Sequence, residues 1–262
     1  MLQLKKGIKL ESLRLPFKKA LEAASQMGAD GVEINARSEL KPPELSRTGV
    51  RHLKKMLSDL NLQVAAIHFP TRRGYDETDD LDRRLEATKA AMTMAYDLGC
   101  SVVTNRIGRV ADEVMDERRS TMVQALTDLG VFSQKSGAWL VAQSGFEDPK
   151  VMKGLIDSLP PLALGIDFDP AQMIINGFSA VDGMTELAEH VMHFRARDAV
   201  HDLSQGRGLE VQLGRGSVDL PALLGKLEER HYDGFLTIER DEHADAVLQC
   251  GQAVEYLDNL FN

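Results

Sequence analysis

Short apolar or β-branched runs alternate along the chain with longer segments that repeat apolar residues at helical spacing. Short runs of this kind, apolar on both faces and followed by Gly, Pro, Asp or Asn, are typical of parallel strands buried on both sides. The pattern predicts strands at residues 8–13, 31–36, 63–69, 101–107, 139–145, 162–169, 191–198 and 234–240.

The intervals between these runs carry apolar residues three or four positions apart, which indicates amphipathic helices. The pattern predicts helices over 16–27, 53–60, 81–98, 113–135, 180–190, 220–230 and 244–260. Strict alternation of strand and helix favours a parallel sheet with right-handed crossovers, and a closed barrel of this type needs about 250 residues. No Gly-x-Gly-x-x-Gly follows the first strand, which disfavours an open dinucleotide-binding sheet. We therefore expect a single α/β domain over residues 1–262, folded as a (β/α)₈ TIM barrel.

Charge and hydropathy narrow the classes of partner. The chain carries 31 Lys and Arg against 40 Asp and Glu, a formal net charge of −9, whereas nucleic-acid-binding domains are usually basic. No apolar run approaches the ~18 residues of a membrane span, and the first residues lack a secretory signal pattern. We expect a cytoplasmic protein with no nucleic-acid or membrane partner. The sequence is compatible with a homo-oligomer.

Charged side chains cluster at the predicted strand ends, where barrels of this type carry their functional residues. Residues two apart on a strand share a face. The groups that share a face in this way are Glu33 with Asn35, Asp167 with Asp169, and His193 with Arg195 and Arg197. Acids on one strand therefore face arginines on the next, either as part of a site or as a purely structural network of buried ion pairs.

Four of these segments resemble a known family. They are MGADGVEI (27–34), LALGIDFDPAQM (162–173), VMHFRARD (191–198) and LTIER (236–240), and they are similar in order and position to motifs of the xylose isomerase-like barrels. That family includes sugar and sugar-phosphate isomerases and epimerases. The resemblance implies a divalent-metal site with a Glu from the fifth strand, an Asp from the sixth, a His from the seventh and a Glu from the eighth.

This chain keeps only part of that ligand set. Asp169 and Glu239 match the family, whereas Gln143 and Arg195 stand where the other Glu and the His belong. A neutral Gln ligates Mg²⁺ or Mn²⁺ weakly, and a permanently protonated Arg does not ligate metals. We therefore expect no cofactor and no family metal (Mn, Mg or Zn), with the Arg195 guanidinium lying between Asp169 and Glu239. If a metal binds at all, those two acids are its expected ligands.

The strand ends are also rich in arginine, the residue suited to bidentate binding of carboxylate or phosphate. We expect a small anionic metabolite as the partner, with Arg72, Arg106, Arg197 and Gln143 as substrate-binding residues.

The first functional hypothesis is a sugar-phosphate isomerase or epimerase that transfers a proton at the barrel mouth. In it Glu239 is the base, Arg195 polarises an oxygen, and His68 or Glu33 is a second proton carrier. The alternative is a catalytically inactive, metal-free barrel that binds an anionic metabolite. Fold alone does not separate the two hypotheses.

Overall fold

The computed structural model describes residues 4–111, 116–201, 207–240 and 245–261. Eight parallel strands close into a barrel, each paired with its neighbour in the chain and the last paired with the first. Two further short strands, β8 and β9, form an antiparallel hairpin after the seventh barrel strand. The strands are β1 (Lys5–Lys9), β2 (Gly31–Asn35), β3 (Gln63–His68), β4 (Val102–Asn105), β5 (Trp139–Gln143), β6 (Gly165–Phe168), β7 (Val191–Ala196), β8 (Asp198–Val200), β9 (Leu209–Val211) and β10 (Phe235–Ile238). The (β/α)₈ barrel predicted from the alternation is confirmed.

Helices connect the barrel strands on the outside. The α-helices are α1 (Leu10–Leu13), α2 (Phe17–Gln26), α3 (Arg47–Asp59), α4 (Leu81–Leu98), α5 (Glu117–Ser136), α6 (Pro149–Asp157), α7 (Pro170–Ile175), α8 (Ala180–Leu187), α9 (Leu220–Glu229) and α10 (Ala246–Phe261), with 3₁₀ turns at Pro42–Glu44 and Ala188–His190. Among the helices of the described residues, none combines the length and the apolar character needed to cross a bilayer.

The first strand is the largest error in the predicted elements. The sequence predicted a strand over 8–13, whereas β1 occupies Lys5–Lys9 and the next four residues form the helical turn α1. Leu10 and Leu13 are both buried, because a spacing of three places them on the same side of a helical turn. The shift makes Lys9 the last residue of β1, where its side chain belongs to the barrel mouth.

Two further helices, α6 and α7, were also not predicted. Each begins at a proline that follows an aspartate, and the Asp148 and Asp169 side chains accept hydrogen bonds from the backbone N–H groups of Lys150 and Gln172. An N-cap Asp followed by Pro is a recognised start signal for a helix, so the sequence contained the information.

Alternation along the strands separates an apolar outer layer from a polar interior. Val32, Ile166 and Phe194 face the helices and are fully buried in the main core, where the Phe168 and Phe194 rings stack at 5.8 Å. The lower end of the interior is closely packed, since a Cβ on Gly7 would lie only 2.7 Å from Thr237 Oγ1. Above that level the interior is filled by charged side chains, which form the candidate site.

Candidate functional site

Arg195 lies at the centre of the barrel with no solvent exposure. Its Nε donates to both Asp167 oxygens at 2.9 and 3.1 Å, and its Nη1 donates to Glu33 at 3.0 Å and to Glu239 at 2.6 Å. Its Nη2 donates to Asp167 at 2.7 Å and to Thr104 Oγ1 at 3.3 Å. A guanidinium has five N–H donors, and each of these five has an acceptor. Arg195 therefore has no donor left for a substrate oxygen, which argues against the oxygen-polarising role expected from the sequence.

Four different strands supply this cluster. Glu33 lies on β2, Thr104 on β4, Asp167 on β6 and Arg195 on β7, and Glu239 follows the last residue of β10. Inward-pointing residues of parallel barrel strands stack in layers. The side chains consequently meet on the barrel axis although Glu33 and Arg195 are 162 residues apart in the chain.

The cation controls the protonation of the acids. Burial alone would raise the pKa of Asp167, but the charges of Arg195 and His193 outweigh it and lower the pKa to about 2. Burial likewise opposes ionisation of Glu239, yet Arg195 and Lys9 hold its pKa well below the usual range. Both carboxylates are ionised at neutral pH. A carboxylate with so low a pKa is a weak base, so the geometry also argues against Glu239 as the proton-abstracting group.

A second ion-pair layer lies closer to the mouth. Arg197 donates to Asp169 at 2.7 Å and to Glu210 at 3.3 Å, and Arg240 contacts Glu210 at 3.1 Å. The sequence placed Arg195 between Asp169 and Glu239, but its partner on β6 is Asp167. The reason is depth along the strands: Asp167 and Asp169 share a face, but the second pair lies one layer higher, where Asp169 meets Arg197.

Arg197 was expected to bind substrate. The structure instead gives its guanidinium two carboxylate partners and leaves the residue 4% exposed. Glu210 belongs to β9, and Arg240 also donates to the Val211 carbonyl at 2.6 Å. Arg197 and Arg240 thus hold the β8–β9 hairpin against the barrel.

Three polar residues beside these ion pairs remain slightly exposed to solvent: Lys9, His68 and Glu239. The Lys9 side chain is 12% exposed and contacts Glu239 Oε1 at 2.6 Å. His68 Nδ1 lies 3.1 Å from Thr104 Oγ1, and burial together with the charge of Lys9 lowers the His68 pKa to about 4. The imidazole is therefore neutral at pH 7. Glu33, the other expected proton carrier, is fully buried, and its Oε2 has no hydrogen-bond partner within the described residues.

Glu39 and Lys9 are candidate residues that the sequence did not indicate. Glu39 accepts a hydrogen bond from the Asn35 N–H at 2.7 Å, and burial raises the pKa of its carboxyl group to about 7. This carboxyl group can therefore take up or release a proton near neutral pH. Glu39 lies four residues past the end of β2, in a loop with no motif to mark it. Lys9 would have been recognised as a strand-end residue if β1 had been predicted in the right place.

Arg106 and Arg72, both exposed, lie in separate clefts at the carboxyl-terminal face. The β4–β5 cleft, of about 870 Å³, contains Arg106, Arg109 and Phe146, and the Arg106 guanidinium lies 4.0 Å from the centre of the Phe146 ring. The β2–β3 cleft, of about 670 Å³, contains Arg72 and shares no lining residue with the first. Gln143 is half-buried at the end of β5, in register with Asp167.

Comparisons with known proteins place this barrel in a family. Residues 21–260 match the profile of the xylose isomerase-like TIM barrels, and the chain belongs to that family. An inosose dehydratase from Clostridium perfringens is 22% identical over 224 residues, 74% of each chain. The crystal structure of a xylose isomerase domain protein from Planctomyces limnophilus has a TM-score of 0.81 and 25% identity, over 92% of this chain and 90% of that one.

Another solved relative contains a metal. A xylose isomerase-like barrel protein from Mycobacterium smegmatis, determined in complex with magnesium, has a TM-score of 0.75 and 15% identity, over 93% of this chain and 87% of that one. Further structures with this fold are named as sugar 3-epimerases or as similar to one, at 13 to 19% identity. The resemblance drawn from the strand-end motifs is confirmed. The proteins to which this chain is similar are named as xylose isomerase-like, epimerase or dehydratase proteins.

The residues present do not fit a divalent ion. No group of three or more His, Cys, Asp or Glu side chains in the described part of the chain is arranged to hold one. Of the two family ligands that remain, Asp169 is paired with Arg197, and Glu239 is paired with Lys9 and Arg195. A cation at the barrel centre would also repel a second one.

Proposed function

We propose that this chain is a metal-independent member of its family that binds a small anionic metabolite at the carboxyl-terminal face of the barrel. The observation that carries the proposal is the Arg195 guanidinium, whose donors are all taken by Asp167, Glu33, Glu239 and Thr104. Of the two acids that would ligate an ion, Glu239 pairs with this cation and with Lys9, and Asp169 pairs with Arg197. The barrel of this family then serves binding without a metal-assisted step.

The anionic character of the ligand is supported by the arginines around the mouth. Arg72 and Arg83 are exposed, and neither has a carboxylate within 4 Å among the described residues. In a chain whose net charge is −9, such a local positive region focuses anions on one face.

A thermal-shift screen in EDTA tests the proposal. Phosphate esters or hydroxy acids should raise the melting temperature at low salt, and the shift should shrink as ionic strength rises, because exposed charges are screened within about 8 Å at 0.15 M salt. Lys18→Ala, an exposed substitution on α2, should leave the shift unchanged. Stabilisation by neutral sugars but by no anion would contradict the proposal.

The exposure that Lys9 and His68 retain favours a second candidate, a metal-free isomerase or epimerase. A neutral imidazole lies there beside a lysine, and Glu39 is close enough to Lys9 for that charge to affect its pKa. An ammonium can stabilise a developing enolate while a neutral His or Glu39 moves the proton.

Deuterium uptake tests this second candidate. Ketoses, ketose phosphates and hydroxy acids incubated with the protein in D₂O should exchange a carbon-bound proton, as followed by NMR. His68→Gln should slow the exchange about a hundredfold or more if the imidazole carries the proton. His52→Gln, on the exposed face of α3, is the matched control and should have no effect. If no compound exchanges while anions still stabilise the protein, only the binding function stands.

A further inference from the structure

The β2–β3 cleft carries an excess of positive charge that the other cleft lacks. Its lining includes Arg37, Arg72, Arg73, Arg83 and Arg84 but a single carboxylate, that of Asp80. In the β4–β5 cleft three arginines are matched by three carboxylates, from Asp116, Glu147 and Asp148. The two clefts therefore differ in charge rather than in arginine content alone.

The arginines of the β2–β3 cleft are only partly neutralised. Arg73 pairs with Asp79 at 2.7 Å, but Arg72 and Arg83 have no carboxylate within 4 Å among the described residues. The Arg37 guanidinium lies 4.4 Å from the centre of the Phe69 ring and donates to a main-chain carbonyl. Positive charges that line one cleft repel one another unless an anion lies between them.

Arg84 is a buried residue that forms part of the wall of the cleft. It is 8% exposed, and its guanidinium donates to the main-chain carbonyls of Asp79 and Glu77. Neither acceptor is charged, and Nε has no partner within the described residues. A buried cation needs a counter-charge, and no carboxylate of the described residues lies within 4 Å of this one.

The N-terminus of α4 adds to the positive charge of the β2–β3 cleft. Arg83 and Arg84 lie in the first turn of α4, where the helix dipole disfavours cations, and the N-cap residue Asp80 makes no side-chain capping bond. The N–H groups of Leu81 and Arg84 already donate to the Thr78 and Asp80 carbonyls. A bound anion would therefore interact chiefly with the arginine side chains of this turn, which also carries the Asp82 carboxylate.

An apolar slot adjoins the cleft. The slot has a volume of about 270 Å³, shares Arg37 and Ala87 with the cleft, and is lined mainly by Phe69, Ala90 and two prolines. Arg37 stands between the two spaces with its guanidinium over the Phe69 ring. One ligand could therefore place an anionic group in the cleft and an apolar group in the slot.

We propose that the β2–β3 cleft binds the phosphate group of a phosphomonoester whose organic part is apolar or aromatic and occupies the slot. The phosphate oxygens accept hydrogen bonds from Arg72, Arg83 and Arg84, because the planar guanidinium group matches phosphate in bidentate geometry. This inference rests on the proposed function and deepens it, since it selects one of two arginine clefts and names the chemical class of the ligand.

Calorimetry with three compounds tests the inference. Phenyl phosphate should bind more tightly than glycerol 3-phosphate, and both should bind more tightly than inorganic phosphate. The double substitution Arg72→Ala and Arg83→Ala should weaken both esters by about tenfold or more. These two side chains make no ion pair in the described residues, so the melting temperature of the unliganded variant should be unchanged.

Two matched variants make the test specific. Arg106→Ala with Arg109→Ala removes the same charge from the β4–β5 cleft and should leave affinity unchanged. Ala90→Leu narrows the slot and should weaken phenyl phosphate but not glycerol 3-phosphate. Loss of binding in the Arg106 and Arg109 variant alone would overturn the inference while leaving the proposed function in place. Equal affinity for the two esters, unaffected by Ala90→Leu, would overturn the apolar part. No binding by any anion would overturn both proposals.

Discussion

Replacement of Arg195 by methionine is expected to lower the free energy of unfolding by about 3–5 kcal/mol at pH 7, the usual cost of removing one partner from a buried ion pair. Methionine is long and flexible enough to fill the space but supplies no charge and no donor. Glu33 and Asp167 are fully buried and Glu239 is 5% exposed, so three carboxylates would lose their shared counter-ion. Urea unfolding of the variant and the wild type gives the difference directly.

The pH dependence distinguishes this explanation from a simple packing defect. In the wild type the pKa values of Asp167 and Glu239 are lowered, so these groups stabilise the fold above the carboxylate pKa of the unfolded chain, and this contribution is lost as the pH falls. The variant lacks the cation, and its carboxylates can take up protons. The stability gap should therefore be largest at neutral pH and shrink below about pH 4.

An exposed arginine provides the control. Arg106→Met should change stability by less than about 0.5 kcal/mol, as is usual for surface substitutions. A loss below about 1 kcal/mol for Arg195→Met, or a loss that does not vary with pH, would mean that the central ion pairs contribute little to folding.

The barrel could be predicted because its determinants are local. Eight runs buried on both faces and the helical spacing between them are visible within short windows of sequence, and the α4 bounds agree with the predicted 81–98. The errors arose where the local signal was ambiguous. Leu10 and Leu13 fit both an apolar strand and one turn of helix, and the pairing of β1 with β2 and β10 decides between them.

The sequence was enough to predict that acids and arginines of neighbouring strands form ion pairs. It was not enough to predict which acid pairs with which arginine. Alternation placed Asp167 and Asp169 on one face, and Arg195 and Arg197 on another, but alternation carries no information about depth in the barrel. The strand register decides which acid meets which arginine, and the register shift between Ile166 and Asp167 is not visible in the sequence.

The binding residues show the same limitation. Arginines at strand ends are easily counted, but whether each is free depends on carboxylates far away in the chain. Arg197 is paired with Asp169 and Glu210, whereas Arg72 has no carboxylate within 4 Å among the described residues. The charge of a cleft is thus a property of the folded chain.

Replacing the central cation, Arg195, by a metal ligand should convert the centre of the barrel into a site for a divalent ion. In the unmodified protein we expect EDTA to leave the melting temperature unchanged and Mn²⁺ to bind negligibly, because a guanidinium and a divalent ion 4 Å apart repel by about 8 kcal/mol at an effective dielectric of 20. The double substitution Arg195→His and Gln143→Glu removes that cation and adds a carboxylate at the end of β5, in register with Asp167. Glu33, Asp167 and Glu239, which contact Arg195 in the present structure, then remain as oxygen donors around the new imidazole.

Imidazole and carboxylate are ligands that Mn²⁺ and Zn²⁺ accept, so the double variant should bind either ion with a dissociation constant of about micromolar, equivalent to roughly −8 kcal/mol. Calorimetry measures the affinity, and elemental analysis of the purified protein measures the stoichiometry. Gln143→Glu alone keeps the guanidinium and should stay metal-free, which separates removal of the cation from the gain of one carboxylate. If the unmodified protein or this single variant binds a stoichiometric divalent ion, Arg195 does not exclude the metal. The central ion pairs must then open to admit it, and the metal-independent function would have to be abandoned.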